Sequence, residues 1–177
     1  PIASGRTLEY IAAKGIKGMV ALTGEKLVEQ LFHTYQETAA KAGRQLAVGQ
    51  DMALGIGFYL GDTPQQAMDS VRPYHDERYK WFAPFGFVRY TDSQGRAWGT
   101  PGAPSGAPSI EDGIEQKVWA CGLPETVVGM LREFGERYPG LEDIILQWPE
   151  GMPWPEFKDQ LSRFAKEVMP AFGGDRS

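Results

Sequence analysis

Cysteine is nearly absent: Cys121 stands alone among 177 residues. No disulfide can close within the chain, and a reducing compartment fits. Histidine is almost as scarce, with only His33 and His75. Two histidines without matched carboxylate or cysteine spacing give no metal site. No apolar run approaches the ~20 residues needed to cross a bilayer. The N-terminus lacks the charged-then-apolar order of a signal peptide. Positive charge is in deficit too: the formal net charge is −5 and the pI about 5.1. Nucleic acid and anionic membrane therefore have no electrostatic claim on the chain, and the cytoplasm is the default location.

Apolar residues make up 42% of the chain and charged residues 23%. That balance belongs to a globular protein, and the length suffices for one domain, residues 1–177, with a substantial core. Residues 7–14 read as a short helix stopped by Gly15, and 17–22 as a short strand. Thr23 is placed to cap a helix over 24–43, with Leu27, Val28, Leu31, Phe32 and Tyr35 along one side. Residues 46–60 read as a buried strand whose glycines allow a bulge. Thr63-Pro64-Gln65-Gln66 is a strong helix start, and that helix runs to about Trp81, since Ala83 precedes a proline.

Residues 91–109, rich in Gly, Pro and Ser, break the pattern and read as a mobile loop or lid. Beyond them come a short strand at 118–121, a helix from Pro124 to about Tyr138, and a strand at 141–148. Ile144, Ile145 and Leu146 in that strand suit burial on both faces. A final helix follows over 155–172. Strands alternating with helices argue for parallel βα units. A (β/α)8 barrel needs eight such units and roughly 250 residues. The four here, beginning with a helix whose strand is missing, fit the second half of one.

Ala3-Ser4-Gly5-Arg6-Thr7 leads into the first helix. The first turn of a helix has free N–H groups and the positive end of the macrodipole. Gly5 allows close approach of an anion, Ser4 and Thr7 carry hydroxyls, and Arg6 adds a charge-assisted donor. Plain capping by Ser4 or Thr7 is the commoner use of such residues. Trp81 and Phe85 lie in an aromatic run before the Gly/Pro loop, and Trp148 and Trp154 flank the loop after the last strand. Each is a candidate for core packing or for the wall of a substrate pocket. His33 reads as a helix-surface or partly buried histidine, His75 as part of a solvated helix face, and Cys121 as a small buried residue.

In context, the opening stretch resembles the flavin-phosphate loop of the bacterial luciferase-like monooxygenases. There, Ser-x-x-Thr-x-Glu-aromatic-Ala-Ala-x-x-Gly follows the fifth barrel strand. Ser4, Thr7, Glu9, Tyr10, Ala12 and Gly15 fall near that pattern, with one or two positions of slack. Ala3 stands where a glutamate often precedes the serine. Three later phrases resemble the same family in the same order. They are Gly61-Asp62-Thr63-Pro64, then Gly122-Leu123-Pro124-Glu125 with Leu123 in place of a threonine, and Phe164-Ala165-Lys166-Glu167-Val168-Met169-Pro170 in the closing helix.

The resemblance implies a monooxygenase that uses reduced FMN and O2 to oxygenate a small organic substrate. Ser4 and Thr7 would hold the FMN phosphate, Gly5 and Arg6 being added on steric and charge grounds, and a flavin reductase is a possible partner. It assigns no catalytic residue. A deazaflavin relative that transfers hydride remains open. So does a non-catalytic half-barrel that binds a phosphorylated ligand or serves as an association module. With no strand before the first helix and no initiator methionine, three expectations follow: the other half is on another chain, two copies join, or the chain was trimmed or processed.

Overall fold

The structure, a computed structural model, describes residues 5–173. Its centre is a four-stranded, wholly parallel sheet. Strand β2 (Met52–Leu60) is the hub, pairing with β1 (Gly18–Ala21), β3 (Trp119–Gly122) and β4 (Asp143–Gln147). β1 lies beside Met52–Gly55 and β3 beside Gly57–Leu60. The carbonyl of Gly55 accepts from Leu22 N, and the amide of Gly57 donates to Val118 O. Residues two apart in a strand turn their amides the same way. β1 and β3 therefore follow one another along a single edge of β2, and β4 takes the other edge. The sheet is three strands wide at any level.

Helices α1 (Gly5–Lys14), α2 (Glu25–Lys41), α5 (Pro124–Arg137) and α6 (Trp154–Arg163) cover one face. Their apolar stripes meet the even-numbered residues of β2. Leu54, Ile56, Phe58 and Leu60 are buried with Leu8, Val28, Phe32, Val127, Phe134 and Phe157. Each such side chain contributes about 1.5–3 kcal/mol by leaving water. The opposite face carries α3 (Pro64–Phe82), a 3₁₀ turn (Ala83–Phe85) and α4 (Ile110–Glu115). Trp119 and Cys121 of β3 turn that way, into a second cluster with Ala67, Val71, Tyr79, Tyr90 and Ile110. Ala120, between them, faces the first cluster.

Several local expectations hold. Thr63 caps α3 by accepting from Gln66 N at 3.1 Å, with Pro64 in the first turn. Other expectations need correction. Thr23 does not cap α2: Gly24 holds that position, and the Thr23 hydroxyl donates to Ala21 O. β2 begins at Met52, because the positive φ of Gly49 (86°) and Asp51 (65°) makes the preceding residues a turn. No bulge interrupts β2, since its register with β4 is unbroken through Gly55 and Gly57. β4 is not buried on both faces: Ile145 is 38% exposed and Asp143 is open to solvent. The final helix is α-helical only to Arg163, then continues as a π turn (Phe164–Val168) and a 3₁₀ turn (Met169–Phe172). α4 emerges unforeseen from the end of the Gly/Pro stretch, started by a reciprocal capping box between Ser109 and Asp112.

Candidate functional site

α1 and α2 lie side by side. Arg44, just beyond α2, donates to Ala12 O in the last turn of α1 and pairs at 3.1 Å with Asp51, at the start of β2. Both C-terminal ends are thereby tied to the side where strands begin. The N-terminus of α1 points toward the side where strands end, which is where loops carry chemistry in parallel α/β folds. Gly5, Arg6 and Thr7 form that first turn and are exposed. No acidic residue lies in the turn, and among the described residues a Cβ built on Gly5 would meet nothing within 4 Å. An anion would find open space, amide donors and a cation there. Ser4 lies outside the described residues.

The expected aromatic residues divide into two pairs. Trp148, in the loop after β4, and Trp154, opening α6, have ring centroids 5.3 Å apart. Trp148 also stacks on Phe157 at 5.1 Å and 3°, and its Nε1 donates to Met152 O. Both indoles remain about half exposed, so they form a shelf rather than core. Trp81 and Phe85 lie at the far end of α3, 62% and 73% exposed, and Trp81 Nε1 donates to Glu77. Among the described residues no ring contact links these two to the Trp148 shelf.

A polar cluster beside the shelf was not foreseen. Glu156, in the first turn of α6, accepts from Tyr59 Oη at 2.9 Å and Tyr74 Oη at 2.6 Å. One carboxylate thus joins β2, α3 and α6. In a capping box a glutamate here would turn back to the N-cap amide, but the N-cap is Pro153, which has none. The bond to Glu156, then burial, pushes the Tyr74 phenol up to about 12. A turn further on, Gln160 accepts from Leu60 N at 2.7 Å and donates to Leu60 O at 3.1 Å. Arg163 reaches Leu60 O and Asp62. These ties supply the bonds that β4 no longer offers at the end of β2. Glu156, Gln160 and Arg163 are spaced along one side of α6, but Lys158, Asp159 and Ser162 make the helix polar elsewhere too, so nothing in the sequence singled them out.

His75 is not on a solvated face. It is fully buried, because it continues the stripe of Ala67, Val71 and Tyr79. Its Nδ1 lies 3.0 Å from Asp76 Oδ1, and its ring packs against Tyr79 and Trp119. Its Nε2 is buried and finds no partner among the described residues. Burial pushes the imidazole below its ordinary value, against the opposing pull of Asp76. His33 is exposed on α2. Cys121 is the small buried residue expected, and burial raises its thiol to about 12. Such a thiol is not a ready nucleophile. Among the described residues no group of three or more His, Cys, Asp or Glu gathers as a metal site.

Residues 91–109 make a turn-rich knob. Thr91 bridges Ala97, Asp92 accepts from Gln94 N and Arg96 N, and Trp98 packs its ring 6.1 Å from that of Tyr90. A cleft of about 330 Å³ separates the knob from the starts of α2 and α4, with Glu25, Lys26 and Trp98 in its walls. None of the predicted site residues that the structure describes lines this cleft. No described helix is long and apolar enough to cross a membrane.

A wholly parallel four-stranded sheet alternating with helices defines an α/β protein. The family model for luciferase-like monooxygenases matches residues 3–139, and the chain belongs to that family. It is 38% identical over 60 residues to 2,5-diketocamphane 1,2-monooxygenase 2 of Pseudomonas putida, a stretch covering 33% of this chain and 16% of that protein. Two solved structures share the fold. Monooxygenase RslO1 from Streptomyces bottropensis superposes with a TM-score of 0.69 at 16% identity, over 96% of this chain and 46% of that one. The oxygenating constituent of 3,6-diketocamphane monooxygenase of Pseudomonas putida, solved with FMN, gives 0.68 at 20% identity, over 93% and 45%. The chain thus spans less than half the length of these two solved relatives.

Proposed function

We propose that the chain is the C-terminal half of a (β/α)8 flavin-dependent monooxygenase and supplies its FMN-phosphate clamp. The observation that carries this reading is the first turn of α1: exposed, free of acidic residues, open above Gly5 and directed to the strand ends. Gly5 and Thr7, with Ser4 upstream, would hold the phosphate through amides and hydroxyls, and Arg6 would add a charge-assisted bond. Bound reduced FMN would supply the reaction with O2. The chain's own residues position and enclose. Trp148 and Trp154 would form one wall against a small organic substrate, and Trp81 and Phe85 a more distant edge. The FMN-bound relative and the diketocamphane monooxygenases support a cyclic ketone as the first substrate to try. A flavin reductase would deliver the cofactor.

The second reading is a non-catalytic half-barrel that binds a phosphorylated ligand. Titration with FMN and with FMNH2 under O2 separates the two. Because free FMNH2 consumes O2 unaided, the readout is product: binding with oxygenation of an added cyclic ketone supports the enzyme, and binding without it supports the half-barrel. Replacing Ser4 and Thr7 together by alanine weakens FMN binding more than about tenfold if they grip the phosphate. Unchanged affinity removes the assignment.

A further inference from the structure

The segment after β4 is fastened to α3. Met152 N donates to Pro149 O at 3.1 Å and Gly151 takes a positive φ of 82°, so Pro149–Met152 closes as a tight turn with Glu150 inside it. Arg78 of α3 donates to the Glu150 carboxylate through Nη1. One helical turn earlier, Tyr74 donates to Glu156 at the start of α6. Residues four apart share one side of a helix. That side of α3 therefore holds the 148–156 segment at two points, and Trp148 and Trp154 both lie in the segment.

The Arg78 contact is better suited to fixing geometry than to adding stability. The side chain is 21% exposed, its Cζ lies 4.7 Å from the Phe82 ring centroid, and its Nε is buried with no partner among the described residues. A mostly buried guanidinium with one donor unmet gains little net stability from its ion pair. What the pair does is hold the turn. Trp148 lies flat on Phe157, at 3°. Offset-stacked rings keep their attraction over centroid separations of about 4.5–7 Å, so stacking alone leaves the indole free to slide. The bond from Trp148 Nε1 to Met152 O stops it, and that carbonyl belongs to the turn that Arg78 grips through Glu150.

We propose that Arg78 is a positioning residue for the Trp148–Trp154 shelf, acting through Glu150, so that α3 sets where the shelf lies. Its consequence for substrate rests on the wall proposed above. The tie itself is read on the indoles with no ligand present, so failure of the flavin reading leaves these signals untouched. In the 15N-labelled chain each indole N–H signal is assigned by replacing that tryptophan with phenylalanine. Arg78→Met keeps the apolar stem and removes the pair. It should shift the Trp148 signal and speed its hydrogen exchange about tenfold or more, while Trp98, in the knob, stays in place. Glu150→Gln leaves α3 intact and should move the same signal the same way, by less. In the Arg78→Met background it should add nothing, because the two residues act as one unit. If Arg78→Met does not fold, Glu150→Gln carries the test. A pair that only stabilises would lower the urea midpoint and leave the Trp148 signal and its exchange as they are, and that result overturns the proposal. So does a Glu150→Gln effect that adds in full to that of Arg78→Met.

Discussion

Gly57→Ala tests how tightly the two faces of β2 are matched. The φ of Gly57 is not positive, so alanine meets no backbone penalty. Reduced freedom of the unfolded chain would by itself favour the variant by about 0.4–1 kcal/mol. Against that stands Trp119. A Cβ on Gly57 would lie 2.7 Å from Trp119 Cε2, and closer still to Cδ2 and Cε3. Carbon atoms in contact sit about 3.5–4.0 Å apart, so the ring must retreat by roughly 1 Å. It has no room: Trp119 is 2% exposed, Gly113 backs its Cδ1, and His75 packs against it. Overpacking of this kind costs about 1–3 kcal/mol. With the ring blocked on both sides the upper end applies, leaving a net loss of about 2 kcal/mol. Urea unfolding should report that loss. Combining Gly57→Ala with Trp119→Phe should recover at least about 1 kcal/mol of it as coupling. A single variant within about 0.5 kcal/mol of the parent, or strict additivity in the pair, would refute the reasoning.

Three further outcomes are expected. Removing the Gln160 amide by Gln160→Ala leaves the buried Leu60 N–H without an acceptor, so unfolding should come about 2 kcal/mol sooner; an unchanged urea midpoint would exclude this role. His75 has a depressed folded value, so the unfolded state takes up a proton first as acid is added. Its contribution is complete above about pH 6.5 and is lost as pH falls, by at most about 1.4 kcal/mol per unit. His75→Phe should flatten the thermal midpoint between about pH 7 and 5, and equal slopes in both proteins would contradict this. In Glu156→Ala the Tyr74 phenol should fall from about 12 toward 10, read from phenolate absorbance; no change would mean Glu156 is not its main perturber.

The βα alternation was legible because each element carries its own period and its own stops. Gly15 and Gly43 both sit at positive φ just after a helix, as their place in the sequence implied. Residues whose fate depends on distant partners were harder to place. His75 has charged neighbours in sequence, and only the stripe of Val71 and Tyr79 marks it as core. Ile144–Leu146 has the composition of a central strand, and composition says nothing about which neighbours are present. Glu156 resembled an ordinary first-turn carboxylate until Tyr59 and Tyr74 arrived from 97 and 82 residues away in sequence. The tandem use of one β2 edge by β1 and β3 left no local trace.

That tandem arrangement frees the 61–118 segment from the topology. The chain departs from the top of β2, builds α3, the knob and α4, and comes back to the stretch of β2 that β1 leaves bare. Departure and return share one rail, so an excursion of any length is neutral for strand order. This annex on the second face of the sheet can be lengthened, shortened or redecorated while the helix that would hold a phosphate keeps its station.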